Sequence, residues 1–178
     1  MSEPLRVVFV CTANICRSPF LEVSARALAG EGSRVEFSSA GTHGYDAQPM
    51  NPEMVATLAG ATADDFASRR LTAAILQEAD LVLTAEATHR SFILEEFPQH
   101  LRKVFTVGQF AAAVEEHPDL RGRELVAAVG ARRTAARREH DIADPYRRGE
   151  SAAATAADTM SRMLGVIVPR LAPGGSGG

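Results

Sequence analysis

The sequence lacks the features that mark membrane, nucleic-acid-binding and disulfide-rich proteins. No apolar run reaches the roughly 20 residues that a transmembrane helix needs, and residues 1–10 do not resemble a signal peptide. The formal net charge is −3, so the molecule as a whole is not polybasic and we expect no nucleic-acid partner. The two cysteines, Cys11 and Cys16, are too few for a disulfide scaffold. These absences favour a cytoplasmic protein without a membrane span.

Short apolar runs alternate along the chain with segments of helical periodicity. The pattern predicts strands at 5–10, 34–38, 79–84 and 103–107, with a loop from 38 to 51. It predicts helices from Ser18, as N-cap, to about Gly30, and at 52–60, 71–78, 86–97, 109–116, 123–139 and 151–171. This alternation is typical of a doubly wound α/β sheet, which binds ligands beyond the carboxyl ends of its strands. We expect one domain over residues 1–171 and a disordered tail at 172–178.

A cysteine and an arginine, separated by five residues, follow the first predicted strand. The segment CTANICR runs from Cys11 to Arg17, and Ser18 and Pro19 come next. A loop between a strand end and a helix start directs backbone N–H groups and the positive helix end at one point, which suits a phosphate dianion. We therefore expect Cys11 to be a thiolate nucleophile. We expect Arg17 to hold phosphoryl oxygens and Ser18 to donate a hydrogen bond to the sulfur.

A phosphatase of this kind also needs an acid that protonates the departing oxygen. Asp144 belongs to the only Asp-Pro pair in the chain, in a predicted loop between two helices. Asp141 lies three residues earlier, and spacing alone does not decide between the two. The five histidines are scattered without metal-ligand spacing, so we expect no metal site.

Four segments together resemble the low-molecular-weight protein tyrosine phosphatase family: VVFVCTANICRSP, SSAGT, ADLVLTAE and DIADPY. The similarity extends over residues 5–171. It implies a four-stranded parallel sheet flanked by helices, no metal or organic cofactor, and a tyrosine-phosphorylated protein or an aryl phosphate as substrate. By this resemblance Cys11 is the nucleophile, Arg17 the phosphate clamp and Asp144 the general acid. The other residues that it implies are a phosphate-binding loop of Thr12, Ala13, Asn14, Ile15, Cys16, Arg17 and Ser18, a support at Ser39 for Asn14, and pocket walls at Tyr45 and Tyr146.

Three residues depart from the family pattern. Ala13 stands where glycine is usual, Phe66 where a histidine often supports the asparagine, and Arg147 where an aromatic or small residue often follows the tyrosine. We expect these differences to affect the support of the loop and the choice of substrate. The arginines of segment 121–138 are expected to form a solvated helix face or to recruit an acidic protein substrate.

Cys16 has two interpretations. It is either a small buried side chain or a redox partner that protects Cys11 from over-oxidation through a reversible disulfide.

Two other functions fit the same kind of fold. A thioredoxin-coupled arsenate reductase relays a disulfide through further cysteines, and no cysteine follows Cys16. A non-catalytic phosphotyrosine-binding module would be expected to lack the nucleophile, the arginine or the acid, and candidates for all three are present. The sequence therefore favours a phosphatase that acts through a phosphocysteine intermediate.

Overall fold

The centre of the structure is a four-stranded parallel sheet. The computed structural model describes residues 3–132 and 134–172, so the tail predicted at 172–178 lies, apart from Ala172, outside the described residues. The strands are β1 (Leu5–Cys11), β2 (Val35–Gly41), β3 (Leu81–Thr84) and β4 (Val104–Thr106). They lie side by side in the order β2-β1-β3-β4, and every neighbouring pair is parallel. The predicted α/β fold with a four-stranded parallel sheet is confirmed.

Helices connect the strands and cover the sheet. In the described part of the chain they are α1 (Arg17–Ala29), α2 (Pro52–Val55), α3 (Ala73–Glu78), α4 (Ala87–Glu96), α5 (Val107–Glu115), α6 (Gly122–Ala131) and α7 (Glu150–Leu171). Short 3₁₀ turns lie at Pro98–His100 and Arg138–His140. Within residues 3–132 and 134–172, no helix is both long and apolar enough to cross a membrane.

β1 is buried on both faces because helices cover both sides of the sheet. Val7 and Phe9 belong to one hydrophobic core, to which α1, α5, α6 and α7 contribute. Val8 and Val10 belong to a second core, to which α3 and α4 contribute. Successive residues of a strand point to opposite faces. A continuous apolar run such as this one therefore fits only a strand that is covered on both sides.

Two predicted boundaries beside the first loop are wrong. β2 continues to Gly41, past its predicted end, because its last residues pair with β1 as far as Cys11 opposite Gly41. Pairing between distant segments of this kind leaves no local sequence signal. Ser18 is not an N-cap, since α1 begins at Arg17 after Cys16. The Ser18 hydroxyl is instead buried and makes hydrogen bonds within the first loop.

Two predicted helices are shorter than expected. The helix predicted at 52–60 ends at Val55. The helix predicted at 123–139 ends at Ala131. Just before this end, Gly130 packs so closely against the turn that precedes β4 that a Cβ on it would lie 2.2 Å from the carbonyl oxygen of Arg102. The chain then returns toward α5, where Gln109 Nε2 donates a hydrogen bond to the carbonyl oxygen of Thr134 (2.8 Å).

This return brings the segment before α7 to the carboxyl ends of the strands. The Ile142 N–H donates a hydrogen bond to the carbonyl oxygen of Ala85, directly after β3, at 2.9 Å. Both aspartates that were candidates for the acid, Asp141 and Asp144, are thereby placed near the end of β1.

Candidate active site

The loop from Cys11 to Ser18 lies between the end of β1 and the first turn of α1. This is the edge at which open α/β sheets bind ligands. The segment after β2 packs directly against the loop, and the His43 N–H donates a hydrogen bond to the carbonyl oxygen of Thr12 (2.8 Å). Gly41 is required by this close approach, because a Cβ there would lie 2.6 Å from the same oxygen.

Asn14 holds the loop through its side-chain amide. Its Nδ2 donates hydrogen bonds to the hydroxyl oxygens of Ser18 and Ser39, each at 2.8 Å. Its Oδ1 accepts a hydrogen bond from the Arg69 N–H at 2.9 Å. Asn14 is fully buried and has a left-handed backbone with φ of 56°, a conformation that asparagine tolerates better than most side chains. The structure thus brings Asn14 and Ser39 together as the family resemblance implies.

Ser18 lies beside the sulfur of Cys11, with Oγ and Sγ 3.0 Å apart. The Ser18 oxygen already accepts a hydrogen bond from Asn14, so its own proton is available to the sulfur. A hydrogen bond to an ionised acceptor is roughly twice as strong as one between neutral groups. The Ser18 hydroxyl is therefore placed to donate a hydrogen bond to the Cys11 sulfur.

Arg17 is almost completely buried, with 2% of its surface exposed. Its Nη1 donates hydrogen bonds to Glu86 Oε1 (2.5 Å) and to the carbonyl oxygen of Ile142 (2.8 Å). Its Nη2 lies 3.6 Å from Asp144 Oδ2, and its Nε has no hydrogen-bond partner among the described residues. Protein groups therefore hold one side of the guanidinium. The Nε–Nη2 edge can bind two phosphoryl oxygens in the bidentate manner typical of arginine.

Sequence reasoning missed two residues that support this arrangement, Glu86 and His89. His89 Nδ1 accepts a hydrogen bond from the Glu86 N–H (3.1 Å), so the neutral ring carries its proton on Nε2. That Nε2 lies 2.8 Å from Thr12 Oγ1 and donates to it. The available signal was the Glu-x-x-His spacing that begins helix α4 directly after a buried strand. Together the two side chains connect α4 to Arg17 and to the phosphate loop.

Burial and the positive charge of Arg17 determine the protonation states of Glu86 and His89. Burial alone would raise the pKa of Glu86, but its hydrogen bond with Arg17 and the charge of Arg17 outweigh that effect, and the pKa lies below its usual value. Burial, followed by the positive charge of Arg17, lowers the pKa of His89 to about 4. At neutral pH Glu86 is therefore charged and His89 is neutral, which matches their hydrogen bonds.

The two candidate acids have different surroundings. Asp141 Oδ1 accepts a hydrogen bond from the Ala87 N–H (2.7 Å), at the first turn of α4. Asp144 instead lies beside Arg17 and lines the same cavity as Cys11. Its Oδ1 accepts a hydrogen bond from the Tyr146 N–H at 3.1 Å, which orients the carboxyl group. The geometry thus separates two aspartates that spacing alone could not.

A cavity of about 580 Å³ opens above the phosphate loop. Its polar end contains Cys11, Arg17 and Asp144, and Tyr45 and Tyr146 both line it, as the resemblance implies. The remaining walls are largely apolar and include Ile15, Cys16, Pro49, Met50 and Pro52. In the part of the chain that the structure describes, no group of three or more His, Cys, Asp or Glu residues is arranged to hold a metal ion.

The departures at Ala13 and Phe66 are accommodated by neighbouring residues. Gly44 lies against Ala13, with a left-handed φ of 101°, and a Cβ on Gly44 would lie 3.2 Å from the Ala13 Cβ. That Cβ would lie closer still to the Ala13 Cα, at 3.0 Å, so glycine at 44 is required by the approach of the two backbones as well as by the methyl group at 13. Phe66 packs on the core and supplies no hydrogen bond to the amide, but Ser39 is held by the buried Glu22, whose Oε2 accepts its proton at 2.5 Å.

His89→Gln is predicted to change the pH dependence of stability. The folded-state pKa of about 4 lies below the ordinary 6.5, so the unfolded chain binds this proton more readily. The contribution of neutral His89 is therefore complete above pH 6.5 and declines as the pH falls toward 4. Urea unfolding across this range should show a smaller loss of unfolding free energy in His89→Gln than in the wild type.

The matched control for this experiment is His43→Gln, because His43 is exposed. It should retain the wild-type slope of stability against pH. Identical slopes in the wild type and His89→Gln would contradict the assignment of His89 as a neutral, buried donor to Thr12.

Comparison with known proteins agrees with this geometry. The model of the low molecular weight phosphotyrosine protein phosphatase family matches residues 6–122. The chain is 34% identical over 106 residues to a protein-arginine-phosphatase of Bacillus subtilis (strain 168), covering 58% of this chain and 71% of the relative. It is 33% identical over 115 residues to the low molecular weight protein-tyrosine-phosphatase Etp of Escherichia coli (strain K12), covering 64% of this chain and 75% of the relative.

The solved structures include a low molecular weight protein tyrosine phosphatase from T. tengcongensis. It is 27% identical and superimposes with a TM-score of 0.74, covering 94% of this chain and 99% of that one. The family model covers well over half of the sequence and includes the whole phosphate loop. The chain therefore belongs to the low molecular weight phosphotyrosine protein phosphatase family.

Proposed function

We propose that this phosphatase hydrolyses phosphotyrosine, or another aryl phosphate, through a phosphocysteine intermediate. The observation that carries the proposal is one cavity with Cys11, Arg17 and Asp144 at its polar end and aromatic and apolar side chains along its walls. The polar end suits a phosphoryl group and the walls suit a phenyl ring. We further propose that residues 1–171 act as a single phosphatase domain in the cytoplasm, where a reducing environment keeps Cys11 a free thiol.

In the first step the Cys11 thiolate attacks phosphorus. An S–P bond forms while the bond between phosphorus and the phenolic oxygen breaks. The Nε–Nη2 edge of Arg17 stabilises the charge on the non-bridging oxygens. Asp144 gives its proton to the departing oxygen, so the product leaves as neutral tyrosine.

In the second step a water molecule attacks the phosphocysteine. Asp144, now a carboxylate, takes a proton from this water while the S–P bond breaks. The products are inorganic phosphate and the Cys11 thiolate, whose negative charge the Ser18 hydroxyl stabilises at 3.0 Å. Asp144 ends the cycle protonated, as it began.

The walls of the cavity support a preference for aryl esters. A phenyl ring between Tyr45 and Tyr146 would gain about 0.5–1.5 kcal/mol from each aromatic contact, beyond the area that it buries. Ile15 and Met50 extend the apolar lining toward the loop. A phosphoserine side chain is too short to reach these walls, so it would gain only the contacts to phosphate.

Phosphoarginine is a second candidate substrate, because relatives of this chain are named protein-arginine-phosphatases. A guanidinium group is best bound by a carboxylate. Among the described residues that line the cavity, Asp144 is the only acid, and it lies 3.6 Å from Arg17. The cavity therefore supports an aromatic leaving group better than a cationic one.

Neither of the other functions finds comparable support. Cys11 and Cys16 are the only cysteines, and both are free, so a relay through a downstream cysteine has no residue to use. A module that only binds phosphotyrosine has no need of an acid beside the phosphate, and Asp144 occupies that position.

One peptide carrying phosphotyrosine, phosphoserine or phosphoarginine at the same position tests the proposed substrate class. We expect the kcat/KM for phosphotyrosine to exceed the other two values by about a hundredfold or more. Faster release of phosphate from phosphoarginine would contradict the aryl assignment.

Cys11→Ser tests the proposed nucleophile. It should abolish turnover while retaining binding of phosphate or vanadate. A Cys11→Ser variant that keeps more than a few per cent of the wild-type rate would contradict the assignment of Cys11 as the nucleophile.

Asp144→Asn tests the general acid. It should slow turnover of phenyl phosphate by about 10²–10⁴-fold, the usual contribution of such an acid. An ester whose leaving group is the anion of a strongly acidic phenol needs less protonation, so its rate should fall clearly less. The measurement is kcat/KM for both esters in the wild type and the variant, because kcat also includes the hydrolysis of the phosphocysteine, in which Asp144 is the base for either ester.

Asp141→Asn is the matched control, because asparagine can still accept the hydrogen bond from the Ala87 N–H. It should retain most of the turnover of both esters. Equal losses for the two esters in Asp144→Asn, or a larger loss for phenyl phosphate in Asp141→Asn, would assign the acid elsewhere.

Cys16 is proposed to protect Cys11 from over-oxidation. Burial, followed by the negative charge of Cys11, raises the pKa of Cys16 to about 12, so Cys16 remains a protonated thiol that peroxide does not attack first. Peroxide converts the Cys11 thiolate to a sulfenic acid, which condenses with the Cys16 thiol to a disulfide and water. Mild peroxide should therefore inactivate the enzyme, and dithiothreitol should restore it.

Peptide mapping of the oxidised protein provides the direct measurement. It should find a Cys11–Cys16 bridge in the wild type. Cys16→Ser should instead lose activity irreversibly, with Cys11 as sulfinic or sulfonic acid. The absence of a bridged peptide from inactivated wild-type protein would rule out the protective role.

A further inference from the structure

Arg147 directly follows Tyr146, which lines the cavity, and has a backbone conformation that arginine rarely adopts. The Arg148 N–H donates a hydrogen bond to the carbonyl oxygen of Pro145 at 3.1 Å, which closes a turn over residues 145–148. Arg147 is the third residue of this turn and has a φ of 57°. Glycine or asparagine usually occupies such a position. Backbone strain at an exposed residue beside a cavity is a reason to look for a function of its side chain.

The turn presents the guanidinium of Arg147 over the ring of Tyr146. The Cζ atom lies 5.1 Å from the ring centroid, within the range of a cation–π contact. Tyr146 itself lines the cavity and is 42% exposed. The contact therefore holds a positive charge next to the place where a substrate enters, directly above a residue that would touch its phenyl ring.

The charge of Arg147 is not neutralised by the protein. Among the described residues, no carboxylate forms an ion pair with Arg147 or with its neighbour Arg148. Three arginines of segment 121–138 differ, since Arg123 pairs with Asp80, Arg132 with Glu116 and Arg137 with Glu139. Arg147 is thus available to a partner of opposite charge.

We propose that Arg147 selects phosphotyrosine peptides that carry an acidic residue next to the phosphotyrosine. This inference rests on the proposed function, because the peptide must place its phenyl ring beside Tyr146. Arg147 is held against one wall of the cavity, through its contact with the Tyr146 ring. Its side chain can therefore reach an acid on one flank of the phosphotyrosine only.

Attraction by the whole molecule does not produce this preference. The net charge of the chain is −3, which repels an acidic peptide at long range. A preference for acidic peptides must come from nearby arginines, and high salt must weaken it because the charges are exposed.

The test compares kcat/KM for phosphotyrosine peptides that differ only in glutamate or glutamine, placed before or after the phosphotyrosine. At low salt the wild type should favour glutamate on one flank by about two- to fivefold, as expected for exposed ion pairs. Arg147→Asn should abolish the preference and Arg147→Asp should reverse it. Both replacements tolerate a left-handed backbone, so they differ from each other only in charge.

Arg102→Asn is the control for the loss of one positive charge, because Arg102 lies near Leu5, at the opposite end of β1 from Cys11. It should keep the wild-type preference. Equal rates for the glutamate and glutamine peptides in the wild type, or a preference that survives in Arg147→Asn, would overturn the inference.

The role of Arg147 and the proposed function can fail independently in these experiments. Turnover of phenyl phosphate without any charge preference would overturn the role of Arg147 alone. If aryl esters are not hydrolysed at all, the proposed function fails. Binding of the same peptides to Cys11→Ser, with and without Arg147→Asn, still measures the charge preference in that case.

Discussion

The burial of a positive charge at Arg17 is the constraint on which the site depends. An unpaired charge inside a protein costs several kcal/mol, so a guanidinium with 2% exposure needs partners. Its Nη1 finds Glu86 and the carbonyl oxygen of Ile142, which lie 69 and 125 residues away in the sequence. The pairing therefore joins the phosphate loop to the end of β3 and to the segment before α7. Asp144 belongs to that last segment, and the same constraint brings it to within 3.6 Å of Nη2.

The partners of Arg17 also orient it. With Nη1 held by two acceptors, the guanidinium cannot rotate freely, and its Nε–Nη2 edge keeps one direction. Preorganised charge of this kind stabilises a transition state without reorganisation at the moment of reaction. Glu86 links this orientation to the loop itself, because its N–H holds the ring of His89, which in turn donates to Thr12. One carboxylate and its neighbouring turn therefore position both the phosphate clamp and the backbone around it.

Local patterns in the sequence were sufficient for the sheet. The run before Cys11 could only be a strand covered on both faces, and the helix start behind it indicated that the loop lies at the ligand-binding edge of the sheet. Interactions between distant segments could not be predicted from local patterns. Because of them β2 extends to Gly41, α6 ends at Ala131, and Ser18 is not the N-cap of α1. For the same reason spacing alone did not separate Asp141 from Asp144, since only the fold shows that Asp144 lines the cavity and that Asp141 accepts a hydrogen bond at the first turn of α4.

The site has a buried part and an exposed part, and substitutions have different consequences in the two. Cys11, Asn14 and Arg17 are almost fully buried and hydrogen-bonded, so a change at any of them leaves a buried polar group without its partner. Tyr45 and Tyr146 are 82% and 42% exposed, and no such penalty applies to them or to the arginine that follows. Substitutions at the exposed positions can therefore alter the walls of the cavity while Cys11, Asn14 and Arg17 stay in place.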